Sequence, residues 1–440
     1  MTKDLRINAD RMLASFDQLA LIGATGDGGV DRTTFSEPHL AARKWFREEI
    51  ERSGLEFHVD GAGNHSAVLP ITPALASGAS VARERSDRSN LQHDEGIASQ
   101  KPLAMTLLLG SHLDSVPKGG RFDGALGVMA ALEVLRTVKE NGIKLKVNLE
   151  AMDFTDEEGT HLSLFGSSAL SGHMNPEDLK KPYSGREKFT AGLARAGLTE
   201  ESLFTAKRPK ASLAGYLEVH IEQGKRLERR GLNIGIVSAI VGYGSYRMAY
   251  IGRADHAGSS AMEDRLDAGQ GVAAFILETR QTVMRDFPNC VANVGQISFS
   301  PGASNIVPAR ADFLLEFRSP DAQQLAELDA ALIKLAHAKA EQFGLQLSAE
   351  PLGKHTPSLM SDQMQQAFKG ACDDLGLSSV VLPSGAIHDA QSLVDVCPVG
   401  MIFVPSVNGT SHSPFEFTKW EDCINGANVL LHAALRLAAF

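Results

Sequence analysis

Six side chains able to hold a divalent cation, or to move a proton beside one, stand at the ends of apolar runs: His112, Asp123, Glu157, Glu158, His220 and His412. Three His and two carboxylates make two overlapping three-ligand sets if one carboxylate bridges. Asp123 is the natural bridge, because Gly119, Gly120 and Gly124 let the backbone turn sharply around it. Glu157 is then left as an acid beside the metals without being a ligand. A metal-bound water needs such a base to take its proton and pass it to a leaving amine. Imidazole and carboxylate ligands accept zinc, manganese, cobalt and nickel alike, so the donor types leave the metal open.

The apolar runs are the elements that must position these groups. Leu107-Leu108-Leu109 reads as a buried strand leading into Gly110–Gly124. His112 and Asp114 stand at i and i+2, so on a strand they would share a face and Asp114 could back the imidazole. A helical pattern follows, with Val128, Leu132 and Leu135 on one stripe. Val147–Met152 predicts a second buried strand, ending in Asp153-Phe154-Thr155-Asp156-Glu157-Glu158. Acids this crowded repel, which favours a solvated loop unless a bound cation reverses the cost. Tyr216–Gly224 carries His220, and Val399–Val404 predicts an apolar strand before the loop Ser406–Pro414, which carries His412. In open α/β sheets, ligands bind at such strand ends.

A chain of 440 residues is expected to form two domains. The net charge of −10, without a basic block, disfavours nucleic acid as a partner. There is no apolar run of about 18 residues and the N-terminal stretch is polar, so no membrane span is expected. Cys290, Cys372, Cys397 and Cys423 are widely spaced and read as free thiols of a reducing, cytoplasmic compartment.

Helices are predicted over 6–20 and over 36–53, the latter N-capped by Ser36 with Leu40, Trp45 and Ile50 facing inward. Leu55–Val59 reads as a short strand. Residues 72–101 are polar and small, and read as an exposed insertion. Residues 172–212 read as polar, helical and peripheral. From Tyr243 a βαββα order closing with a strand near 345–350 predicts an α+β sandwich inserted into the first domain. The expected division is 1–242 with 353–440 for a catalytic α/β domain of mixed, mostly parallel sheet flanked by helices. Residues 243–352 would form the inserted domain.

The motifs GSHLDSVPKGGRFDG, DFTDEEG, YLEVHIEQG, ADHAGSSAMEDRLDA, SNIVPAR, HDAQSL and SHSP resemble those of the M20 metallopeptidase superfamily. More narrowly, they resemble its branch of N-carbamoyl-L-amino-acid hydrolases, β-ureidopropionases and allantoate amidohydrolases. The resemblance implies that His112, Asp123 and His220 hold one metal, and Asp123, Glu158 and His412 a second. It implies Glu157 as general base, Asp114 orienting His112, and Gln223, His256, Asn305, Arg318 and His388 as substrate contacts. Arg318 would take a substrate carboxylate in a fork. The implied reaction is cleavage of the carbamoyl C–N bond of a small N-carbamoyl or ureido acid, in a homodimer joined through the inserted lid domain. Allantoate amidohydrolase, aminoacylase and dipeptidase activities are alternatives within the same chemistry. A metal-binding protein without turnover is disfavoured by the intact base. The chain departs from the pattern at Ile387, at Glu316-Phe317-Arg318 and at Gly159-Thr160-His161-Leu162.

Overall fold

The computed structural model describes residues 3–71 and 105–440, and the insertion expected at 72–101 lies outside them. In chain order the strands are β1 (Glu56–Val59), β2 (His65–Leu69), β3 (Thr106–His112), β4 (Asn148–Phe154) and β5 (Leu213–Ile221). There follow β6 (Ile234–Ile240), β7 (Gly242–Ile251), β8 (Val291–Ser300), β9 (Arg310–Ser319) and β10 (Gln346–His355). The last are β11 (Ser358–Leu359), β12 (Ser379–Ser384) and β13 (Val399–Val404). The chain divides into two compact units. One comprises Met1–Ile236, Ser361–Val380 and Ser392–Phe440, the other Val237–Met360 and Val381–Gln391.

The first unit is built on strands in the order β1-β2-β4-β3-β5-β13, with the start of β6 beyond β13. β4, β3, β5 and β13 run parallel, while β1 and β2 add an antiparallel edge. Parallel strands covered on both faces read as continuous apolar runs, and β3 and β13 are buried at every residue. Their register sets His112 opposite Phe154 and Phe403 opposite His220. Four parallel strands therefore deliver their C-terminal ends, and the loops that follow, to one edge.

Helix Ala125–Glu140 is buried from Ala125 to Val138, the predicted stripe of Val128, Leu132 and Leu135 included. It lies against β3 on one side and against helices Ala9–Leu21 and Trp420–Ala438 on others. Its two buried charges are paired: Glu133 with Arg11 at 2.6 Å, and Arg136 with Glu49 at 2.5 Å. Helix Glu37–Arg52 is capped by Ser36, as its sequence predicts. Its buried stripe is His39, Ala42, Arg43, Phe46, Glu49 and Ile50, leaving the expected Leu40 and Trp45 only partly covered. That stripe keeps the three- and four-residue spacing of a helix face, and Trp45 lies off it. Strand β2 is absent from the sequence reading. Residues 172–212 form short helices over a satellite core of Phe35, Phe165, Phe189 and Leu203.

The second unit contains a four-stranded antiparallel sheet, order β10-β7-β9-β8. Helices Ala268–Asp286 and Ala322–Gln342 cover it, capped by the carboxylates of Asp267 and Asp321. Strand β9 alternates buried and less buried residues, the period-two pattern of a sheet with one covered face. Tyr250, Phe275, Phe313 and Leu328 fill the core. At its base the end of β6 pairs antiparallel with β11.

Candidate metal centre

All six residues singled out by type and position meet at the strand ends of the first unit. His112 ends β3, His220 is the penultimate residue of β5, and Glu157 and Glu158 follow β4. His412 sits in the loop after β13 with a left-handed backbone, φ 52°. Asp123 comes just before helix Ala125–Glu140. Gly124 there has φ 63°, and a Cβ would lie 2.4 Å from the ring of His112, so only glycine lets the loop close on the imidazole.

Asp123 faces two sets of groups with its two oxygens. Oδ1 lies 3.0 Å from Nε2 of His220 and 3.7 Å from Nε2 of His112. Oδ2 lies 3.4 Å from Nε2 of His412, which is itself 3.6 Å from Oε2 of Glu158. Candidate ligand atoms lie within 4.8 Å of one another in the groups His112–Asp123–His220, Asp123–Glu158–His412 and His112–Glu157–Glu158. Glu157 Oε2 approaches His112 Nε2 at 3.6 Å.

Three observations fit this donor set to a divalent cation. Nδ1 of His112 lies 3.0 Å from the main-chain oxygen of Asp114, and Nδ1 of His220 lies 2.9 Å from that of Ile221. A carbonyl partner fixes the proton on Nδ1 and turns Nε2 of each ring toward Asp123, that of His220 also lying 3.2 Å from the amide of Gly124. Second, Glu158 Oε1 is buried and has no hydrogen-bond partner among the described residues. Third, buried charges of both signs crowd together here. Burial, then the charges of Asp123 and Asp114, push the Glu158 carboxyl well above the usual carboxylate range. Burial disfavours charge on His220, yet Asp123 outweighs it and raises this imidazole to about 9. Burial would also raise Asp123, but His220 and His412 hold it well below its usual range. Burial lowers His112 to about 4, leaving it neutral as a ligand must be.

Asp114 differs in detail from the sequence expectation. Strand β3 ends at His112, so the two residues do not share a strand face. The Asp114 carboxylate stays 3.7 Å from His112 Nδ1, and its main-chain carbonyl makes the contact instead. The carboxylate accepts the amides of Glu157 and Glu158 at 3.4 and 3.2 Å and the hydroxyl of Thr34 at 3.1 Å. It thus steadies the loop carrying both glutamates. Burial raises Asp114 to about 6.

The acidic run disperses its charges. Asp153 accepts from Arg43 at 3.0 Å and from the amide of Leu113 at 2.9 Å. Asp156, φ 56°, accepts the amides of Thr160, His161 and Leu162, each at 2.8 Å. Only Glu157 and Glu158 turn toward the His residues.

Gln223, expected at the substrate, has its Nε2 2.7 Å from Asp123 Oδ2 and 3.3 Å from Ser411 Oγ. Glu416, unnoticed in the sequence, accepts the amides of Phe122 and Asp123 at 2.9 and 3.0 Å. Nothing in the sequence around Glu416 signals this contact, which the fold alone brings about.

The other expected substrate residues belong to the second unit. His256 and Asn305 are exposed and adjacent, joined where the amide of Ala257 donates to the Asn305 carbonyl at 3.0 Å. Nδ1 of His256 accepts the amides of Gly258 and Ser259, which leaves its proton on Nε2. Arg318 donates to Glu316 at 2.8 Å and to the carbonyl of Gly385 at 2.8 Å. His388 is buried, with Nε2 3.0 Å from Ser384 Oγ.

Comparison with known proteins agrees with this chemistry. Residues 108–436 match the model of Peptidase family M20/M25/M40. The chain is 35% identical over 434 residues to an N-carbamoyl-L-amino acid amidohydrolase of Geobacillus stearothermophilus, covering 98% of this chain and 99% of that one. It is 28% identical to a ureidoglycolate hydrolase of Arabidopsis thaliana, covering 98% and 87% respectively. Among solved structures, an amidase of the hydantoinase/carbamoylase family from Burkholderia multivorans superposes with TM-score 0.85, at 31% identity and 98% coverage of both chains. With a family model over residues 108–436 and an amidohydrolase relative across 98% of its length, the chain belongs to peptidase family M20/M25/M40 and is a hydrolase of carbon–nitrogen bonds in linear amides.

Proposed function

We propose that this hydrolase cleaves the carbamoyl C–N bond of N-carbamoyl-L-amino acids, giving the amino acid, ammonia and carbon dioxide. The observation that carries the reading is Asp123, whose two oxygens face separate imidazole sets. His112, Asp123 and His220 would hold one divalent ion, and Asp123, Glu158 and His412 a second, zinc or manganese, cobalt or nickel. Ions held there supply Lewis acidity to the ureido carbonyl and a water of lowered pKa.

The chain's own residues do the rest. Glu157 takes the proton of the attacking water and delivers it to the departing nitrogen. Asp114 keeps Glu157 in place through its amide. His256, protonated on Nε2, and Asn305 donate to the developing oxyanion. Arg318 takes the substrate carboxylate by exchanging its bond to Glu316, with Gln223 and His388 as further polar contacts. His256, Asn305 and Arg318 belong to the second unit.

The reading extends to a homodimer joined through 243–352. An apolar surface there supports it: Leu277, Met284, Val291, Ile297 and Phe299 are exposed. Four unpaired, buried cysteines support a reducing cytoplasm. A second substrate reading, a ureidoglycolate-type acid, is favoured by the ureidoglycolate hydrolases of Arabidopsis thaliana and Oryza sativa.

The test is ammonia release from N-carbamoyl-L-amino acids, β-ureidopropionate and allantoate after chelation and re-addition of each metal. Turnover confined to N-carbamoyl-L-amino acids is expected. No release from any of them with any metal would reject the reading.

A further inference from the structure

Glu416 has no part in the chemistry above, yet it is 4% exposed and touches both loops that meet at Asp123. Its Oε1 accepts the amides of Phe122 and Asp123. Its Oε2 lies 2.7 Å from Ser411 Oγ, and that hydroxyl is 2.9 Å from Asp123 Oδ2. One carboxylate therefore ties the main chain of Asp123 to the residue preceding His412. The fit is close: a Cβ at Gly120 would come within 2.0 Å of the Glu416 carboxylate. Two amides donate to one oxygen of this buried carboxylate, and the single Ser411 hydroxyl proton lies between its other oxygen and Asp123 Oδ2.

We propose that Glu416 and Ser411 form a clamp that positions Asp123 against His412. The clamp fixes the distance between the two ligands on which the second ion depends. Asp123 reaches its place on a glycine-rich loop and His412 on an irregular one, so neither is held by regular strand pairing. Two amide bonds on one oxygen and a hydroxyl bond on the other set loop against loop. Glu416 is a positioning residue, since it acts through Asp123 and Ser411. This inference rests on the reading of the site as a metal centre. Groups that hold metal ligands in place commonly contribute tenfold to a hundredfold to metal affinity.

Zinc binding tests it, by calorimetric titration of chelator-treated full-length protein, with bound ions counted after dialysis. Ser411→Ala and Glu416→Ala are expected to bind zinc about tenfold more weakly or worse, with loss concentrated in one of the two equivalents. Glu416→Gln is expected to restore affinity. Its Oε1 still accepts both amides, and its NH2 can donate to Ser411, whose own proton then goes to Asp123. A merely structural role would not distinguish the equivalents or give rescue by glutamine. If Glu416→Ala does not fold, Ser411→Ala decides. Wild-type affinity in Ser411→Ala overturns the clamp, as does equal loss in Glu416→Gln and Glu416→Ala. Failure of the wild type itself to bind zinc would instead overturn the metal reading, and the clamp with it.

Discussion

Asp123 stands between His220 and His412, with Oδ1 3.0 Å from the first and Oδ2 3.4 Å from the second. A carboxylate so divided serves two neighbours at once, and removing it affects both. Asp123→Asn is expected to lower occupancy at both metal positions, whereas His412→Ala empties mainly one. Ion counting after dialysis separates them. Two ions bound at normal affinity in Asp123→Asn would remove the bridge.

Glu157 lies beside His112 at 3.6 Å and is almost fully buried. An amide cannot accept the proton that a carboxylate accepts. Glu157→Gln should keep both ions and lose about 10²- to 10⁴-fold in kcat. Full activity in the variant would exclude Glu157 as the base.

Arg318 already has a carboxylate partner, Glu316. A substrate carboxylate must compete with it. Glu316→Gln is therefore expected to lower KM for ureido acids, and Arg318→Ala to raise it by about tenfold or more, roughly 1.4 kcal/mol. Amidated substrate analogues should respond to neither change. If acid and amide lose equally in Arg318→Ala, the guanidinium is only a surface ion-pair partner.

Stability should fall in acid through buried imidazoles outside the cluster at Asp123. Burial lowers His65 to about 3 and holds His39 well below its ordinary range. Above pH 6.5 both are neutral folded and unfolded, and the native state bears no penalty. As pH falls from 6.5 toward 3, the unfolded chain takes up protons that the folded one refuses. At pH 5 His65 alone accounts for about 2 kcal/mol of that loss. Denaturant titration of His65→Gln should give a shallower acid limb, and an unchanged limb would refute the assignment.

The loops whose His and carboxylate side chains cluster were legible because each follows an apolar run long enough to be a buried strand, and a polar residue at a strand end is conspicuous. The α+β order of residues 243–352 was legible for the same reason. Partnerships across the chain were not. Nothing local marks Glu416 as the acceptor for Asp123, or Asp114 as the acceptor for Glu157 and Glu158, because these bonds depend on which loops the register of β3, β4, β5 and β13 brings together. Nor does the sequence tell Phe46 from Trp45 as the buried aromatic. Either residue is apolar, and a shift of one position on a helix rotates the covered face.

Strand β13 lies directly beside β5 in space, yet in the chain the whole β7–β10 sheet comes between them. A growing chain thus leaves one edge of β5 open until the intervening sheet has been synthesised. Pairing across so long a loop is slow, and an apolar strand with an open edge is prone to stick to other chains. Refolding from denaturant should accordingly lose yield with rising protein concentration. Zinc uptake should trail the recovery of helical signal, since His412 arrives only once β13 has docked.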